Sequence, residues 1–358
     1  MSKSNSISKR IISLDLMRIF ACFCVIVIHV GVYNQKTDWT NDSLSLMFSN
    51  FYGILSRWAV PCFVMLSGMM FLNNQKQVSL KKLYFKYILR LFASYIFWSA
   101  IYSIYNSFYI DSKGLNDQLM YIVNNLFSGE IHMWYVLMLI GLYVAVPVIK
   151  YVVNNASEKL LNYWIITMFI FSSVIPFIAD LGIPYISGVV SYFNEYINIQ
   201  FLCGYTLYFV LGSYISRKSF TKNQNRLIYI MGLIGFIYSV LILLPGRYFF
   251  NLSIGALNYL YPNIIFMSLS VMLFFKNVVS KIKFSDKSKT IIFQLSKLTY
   301  GIFLIHVLVL KVLQHLGFDL SICPVCISII IVSLVTFIIS AIIVFLISKI
   351  PVINKYIC

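Results

Sequence analysis

The chain has 358 residues, 60% of them hydrophobic and only 11% charged, a balance that excludes a soluble globular domain of this length and puts most of the chain in lipid. The formal net charge of +17 would suit a nucleic-acid binder, but the Lys and Arg lie between apolar stretches, so the charge belongs to membrane topology and no nucleic-acid partner is expected.

Apolar stretches of roughly 18 to 23 residues recur, each long enough to cross a hydrocarbon core of about 30 Å as a helix. Lipid offers backbone groups no water, so these stretches must be helical. In chain order the predicted spans are Ile12–Val32, Phe51–Leu72, Leu83–Tyr105, Met133–Ile149, Leu161–Ala179, Ile199–Ile215, Leu227–Leu244, Tyr259–Phe275, Leu298–Leu316 and Val325–Ile347. The expected fold is an all-α, polytopic transmembrane helix bundle of about ten helices. The polar connections are too short for a separate soluble domain, so residues 1–358 read as a single integral-membrane domain.

With alternate connections on opposite sides, 23 of the 28 Lys and Arg share the side of both termini, and only Lys36, Arg57, Lys113, Arg247 and Lys311 face the other. Both termini are therefore expected in the cytoplasm. The first stretch has a basic lead like a signal peptide, but Asp15 and Arg18 interrupt its start and no small-residue cleavage site follows Ile28, so it reads as a retained span.

The first span carries the rarest residues. Charged or titratable groups at membrane depth are costly and mark candidate sites. Asp15, Arg18 and His29 lie along this helix, and the eleven residues from Arg18 to His29 make about three turns, which puts both within about 20° of one face. The axial separation is roughly 16 Å, so Arg18 sits at the cytoplasmic rim and His29 beyond the midplane. A cation at the rim and a base deep inside suit a ligand with an anionic head and a long reactive arm, as in coenzyme A. Asp15, three residues before Arg18, is placed to orient it. Taken singly, Arg18 also reads as a snorkelling anchor and His29 as an interhelical hydrogen bond.

In the second span, Arg57 enters from the outer side and Pro61 should kink the helix just below it. Arg57 is a candidate contact for an acceptor glycan or lipid phosphate, and reads equally as a snorkelling residue. At the mouth of the fourth span Glu130, Trp134 and Tyr135 cluster, and Trp134 and Tyr135 read either as an aromatic belt or as a sugar-stacking surface. His306 in the ninth span is an acid/base or substrate-contact candidate and also reads as an interhelical hydrogen bond, whereas His132 and His315 read as interface residues. Cys323-Pro-Val-Cys326 has suggestive spacing, but no further Cys or His ligands lie beside it, and no metal site is expected. There is no Walker-type loop and no internal repeat, which disfavours an ATP-driven pump.

Together these residues resemble the acyltransferase 3 family of membrane O-acyltransferases. The resemblance rests on Leu14-Asp15-Leu16-Met17-Arg18 with His29, on Val60-Pro61-Cys62-Phe63 with Ser67-Gly68, on Met133-Trp134-Tyr135 with Leu139-Ile140-Gly141-Leu142-Tyr143, and on Tyr300 to His306, in family order. It implies transfer of an acyl group, usually acetyl, from cytoplasmic acyl-CoA to a hydroxyl of a surface polysaccharide or lipid-linked (undecaprenyl-type) glycan precursor. Acetyl-CoA would be the donor substrate, with no permanently bound cofactor and with glycan-assembly proteins as possible partners. The implied location is the bacterial cytoplasmic membrane. By resemblance His29 matches the essential histidine and Arg18 its paired arginine. Of the two arginines three apart that often enter the family's third span, Arg90 matches the second, while Tyr87 occupies the first with Lys86 adjacent. Lys86 and Arg90 are thus the expected donor contacts beside Arg18. The extracytoplasmic hydrolase-like domain of some relatives is not expected here.

His29 would act as general base or as a covalent acyl carrier, two routes the sequence leaves open. The rival reading from another class is a secondary transporter or flippase for a glycolipid, since buried Arg, His and Asp also suit proton-coupled movement.

Overall fold

A computed structural model of the protein describes residues 11–34, 43–73, 79–109, 114–181, 183, 186–196, 204–243 and 257–351. Among them every regular element is helical, and nine helices are long and apolar enough to cross a membrane. Lys36, Lys113 and Arg247 lie outside the described residues.

Helix α1 spans Ile12–Asn34. The second span is two helices, α2 (Ser43–Ser56) and α3 (Ala59–Phe71), separated by a turn at Arg57-Trp58. Pro61 explains the break. It has no N–H to give to the Arg57 carbonyl four residues back, so it sits in the first turn of a new helix, where that donor is not needed. The expected kink is therefore a full interruption, and it lies at Arg57 itself.

Then follow α4 (Leu80–Ser107), α5 (Leu115–Asn125), α6 (Trp134–Asn155) entered through a 3₁₀ turn Ile131–Met133, α7 (Glu158–Asp180) and α8 (Ile186–Tyr196). Helices α5 and α8 are short amphipathic segments within two of the longer connections. The chain continues through α9 (Tyr205–Arg217), α10 (Lys222–Leu241), α11 (Pro262–Asn277), α12 (Asp286–His315) and α13 (Val325–Ile347).

Helix α9 is the described part of the expected Ile199–Ile215 span, and 199–203 lie outside the described residues. Its two ends make contacts at opposite ends of the bundle. At one end Tyr205 meets Trp134, their ring centroids 5.5 Å apart, and at the other Arg217 donates to the Leu72 carbonyl. Helix α9 runs beside α3 at very close range. A Cβ on Gly68 would strike the Phe209 carbonyl and one on Gly212 the Met65 carbonyl, so small residues let the two backbones touch, as is common between helices in lipid.

Helices α1 and α12 lie at the centre and run parallel. Asp15 pairs with Ser296, Cys22 with the Thr299 carbonyl and His29 with His306, ascending together. Parallel first and ninth spans require an odd number of crossings between them, and α9 together with the six other candidate spans between them makes seven. Helix α13 shows how lipid sorts residues: Ser328, Ser333, Thr336 and Ser340 are buried against the bundle while Leu334, Ile338, Ile342 and Phe345 are exposed.

Candidate active site

At the basic end of the bundle, where most described Lys and Arg lie, Asp15 is buried and accepts hydrogen bonds from Arg18 Nη1 at 3.0 Å and Ser296 Oγ at 2.7 Å. This fixes the Arg18 side chain against α12 and turns it into a cavity of about 370 Å³. Arg90 and Lys297 also line this cavity, together with the tyrosines 87, 135, 143 and 300. No Asp or Glu lines it. Three cations and four phenol groups around one space make a site for a polyanionic ligand.

Helix α4, which carries Arg90, opens with a π-helical stretch, Leu83–Ile88. In an unbroken α-helix Lys86 and Arg90, four apart, would share a face. Tyr87 and Arg90 line the cavity while Lys86 is exposed outside it, its Nζ 5.8 Å from the Tyr87 ring. Lys297 of α12, which the sequence did not single out, takes the place expected of Lys86. Its only signal was its position nine residues before His306 on the same helix.

Inward, the cavity ends on the rings of Tyr135 and Phe303, whose centroids are 5.2 Å apart. Directly behind Phe303 lies a cluster of three histidines. His29 and His306 are 4.9 Å apart between ring centroids, His132 and His306 also 4.9 Å, and His29 and His132 5.8 Å. His132 is 1% exposed and His306 0%, while His29 alone keeps part of its surface accessible. The reading of His132 as an interface residue is thus corrected: the 3₁₀ turn before α6 folds it into the core, where Tyr102 and Phe303 also pack on it.

Hydrogen bonds set the tautomers. His306 Nδ1 faces the Phe303 carbonyl at 2.7 Å and so carries the proton, leaving Nε2 as an acceptor. That Nε2 lies 3.2 Å from His29 Nδ1, which also faces the Val25 carbonyl at 2.8 Å. Two acceptors around His29 Nδ1 place the proton there and leave the lone pair on Nε2, the arrangement a base requires. His132 Nε2 donates to the Leu304 carbonyl at 3.3 Å, and its buried Nδ1 has no hydrogen-bond partner among the described residues. An orphaned buried nitrogen costs about 1–3 kcal/mol, and such groups persist chiefly where function uses them.

The opposite end holds the remaining candidates in two groups. Arg57 donates to the Leu257 carbonyl at 2.6 Å and lies over the Tyr259 ring at 4.1 Å, and Tyr259 and Tyr205 pack on Trp134. Trp134 and Tyr135, adjacent in sequence, therefore serve different spaces: Trp134 the partly exposed aromatic group, Tyr135 the cavity. The second group is Glu130 with Lys311, Tyr33 and Asn106. Arg57 and Lys311, the described exceptions to the charge asymmetry, are thus each held by specific partners.

A membrane-embedded helix bundle that opens a cationic cavity at its basic end and sets imidazoles behind the aromatic rings that close it is the framework of a membrane group-transfer enzyme. An acyltransferase-domain family model, acyltransferase 3, matches residues 11–349, so the chain belongs to the acyltransferase 3 family and is a multi-pass membrane acyltransferase. No curated protein and no solved structure matches it.

Proposed function

We propose that this acyltransferase moves an acyl group, acetyl in the first instance, from acyl-CoA in the cytoplasm to a hydroxyl of a surface polysaccharide or its lipid-linked precursor. The bacterial cytoplasmic membrane is the matching location, and undecaprenyl-linked sugars and glycan-assembly proteins are the matching partners. The observation that carries the reading is the alignment, along α1 and α12, of the Arg18–Arg90–Lys297 cavity with the histidine cluster behind it. The cations suit the donor's phosphates, and the cavity leads the thioester arm towards His29. Trp134, Tyr205, Tyr259 and Arg57 at the other end offer stacking and hydrogen-bonding surface to a sugar.

In this mechanism His29 Nε2 takes the proton of the acceptor hydroxyl while its oxygen bonds the acyl carbon. The carbon–sulfur bond then breaks, and the proton passes from His29 to the leaving thiolate. His306 holds the His29 tautomer. General-base assistance of this kind contributes about 10²–10⁴-fold.

The test is mass spectrometry of surface glycans from cells carrying the wild type, the His29→Ala variant or no copy. Loss of one acyl mass in the last two supports the reading. Intact glycan acylation in His29→Ala cells, with export of lipid-linked sugar stopped, refutes it in favour of a transporter. Incubating purified protein with labelled acetyl-CoA and no acceptor then separates the routes: His29-dependent label on the protein means a covalent intermediate, and its absence means direct transfer.

A further inference from the structure

The Glu130 group plays no part in the mechanism above, yet it is the most densely connected polar cluster described at its end of the bundle. Glu130 Oε2 accepts from Lys311 Nζ at 2.6 Å and from Asn106 Nδ2 at 3.3 Å, and Oε1 accepts from Tyr33 OH at 2.7 Å. Lys311 also donates to Asn106 Oδ1 at 2.9 Å, and its ammonium lies 5.6 Å and 5.8 Å from the Tyr33 and Tyr102 ring centroids. The pair is largely enclosed, with side-chain exposures of 16% for Lys311 and 12% for Glu130.

The elements it joins are the ones that carry the histidines. Tyr33 is one turn beyond His29 on α1, Glu130 stands two residues before His132, and Lys311 follows His306 by five residues on α12. Tyr102, under the Lys311 ammonium, donates to the Leu304 carbonyl at 2.9 Å and stacks edge-on against His132 at 5.5 Å. Helices packed in lipid lack a hydrophobic drive to fix their relative height, so polar contacts of this kind set it.

We propose that Glu130 and Lys311 are positioning residues for acyl transfer: their ion pair, with Tyr33 and Asn106, locks the three histidine-bearing segments at the height at which the His29–His306 hydrogen bond forms. The proposal rests on the reading of His29 as base. Displacing a catalytic group by about 1 Å costs on the order of 100-fold in rate.

The experiment uses the full chain in lipid nanodiscs with labelled acetyl-CoA and a glycan acceptor. The chain has four histidines, so ¹⁵N-histidine labelling gives four sets of imidazole signals and reports the tautomers directly. Lys311→Met is expected to lower kcat on the order of 100-fold and leave the KM for acetyl-CoA unchanged, since the donor cavity lies at the other end. It should also shift the His29, His132 and His306 signals and spare His315. Lys311→Arg should restore both rate and signals. Glu130→Gln, which keeps the shape and Oε1 acceptor, covers the case in which Lys311→Met fails to fold, and should lower kcat with the same signal shifts. Unchanged kcat and unchanged signals in the folded variants overturn the positioning role. So does a lost rate with the three signals in place. Full activity of His29→Ala would instead overturn the base assignment on which the proposal stands.

Discussion

Replacing Asp15 by Asn tests whether the carboxylate places Arg18 for a donor. A hydrogen bond to a charged group contributes about 1.5–3 kcal/mol against about 0.5–1.5 for a neutral one, so neutralising Asp15 weakens its bonds to Arg18 and Ser296 by about 2.5 kcal/mol in all. Arg18 is 26% exposed while Asp15 is 1%, so solvent screens the Arg18 share. Screening trims the total to about 2 kcal/mol. An opposing effect must be subtracted, because the carboxylate repels the phosphate that Arg18 attracts. With the phosphate on the far side of the guanidinium, about 7 Å away, and an effective dielectric near 40, that repulsion is about 1 kcal/mol. The net loss of about 1 kcal/mol corresponds to roughly fivefold weaker donor binding. Calorimetric titration of Asp15→Asn with acetyl-CoA measures it, with a thermal melt to confirm folding. Binding as tight as wild type or tighter would show that repulsion outweighs orientation and refute the placement of Arg18.

Trp134→Ala is expected to raise the KM for the glycan acceptor about 3- to 10-fold and spare the donor KM, with Tyr135→Phe acting the other way round, because adjacent side chains face different spaces; steady-state kinetics in both substrates checks this. Burial acts to raise the Glu130 carboxyl, but Lys311, Tyr33 and Asn106 outweigh it and hold it below the ordinary carboxylate range. Its stabilising effect is therefore present above the unfolded carboxylate value of about 4.3 and is lost as pH falls through the lower folded value. The melting-temperature gap between wild type and Glu130→Gln should stay constant from pH 7 to about 5 and close only in stronger acid. Gly68→Leu should cost about 3 kcal/mol or more by forcing α3 off the Phe209 carbonyl, and is read as a lower melting temperature.

The sequence by itself determined the membrane bundle, because lipid leaves an apolar stretch of span length no choice but a helix. It also determined that Arg18 and His29 share a face, since helical periodicity is a local property. The same periodicity failed for Lys86, which is exposed outside the cavity that Tyr87 and Arg90 line. It could not show Lys297 entering that cavity, because which face of α12 looks inward depends on its rotation against α1. His132 read as an interface residue because it stands at the outer boundary of its span beside Trp134. Only the packed structure shows Lys311 neutralising Glu130, which lets this segment turn inward and bring the third imidazole to the other two. Height and rotation of one helix against another are set by contacts between residues hundreds of positions apart, such as Asp15 with Ser296 and His29 with His306, and no local pattern in the chain encodes them.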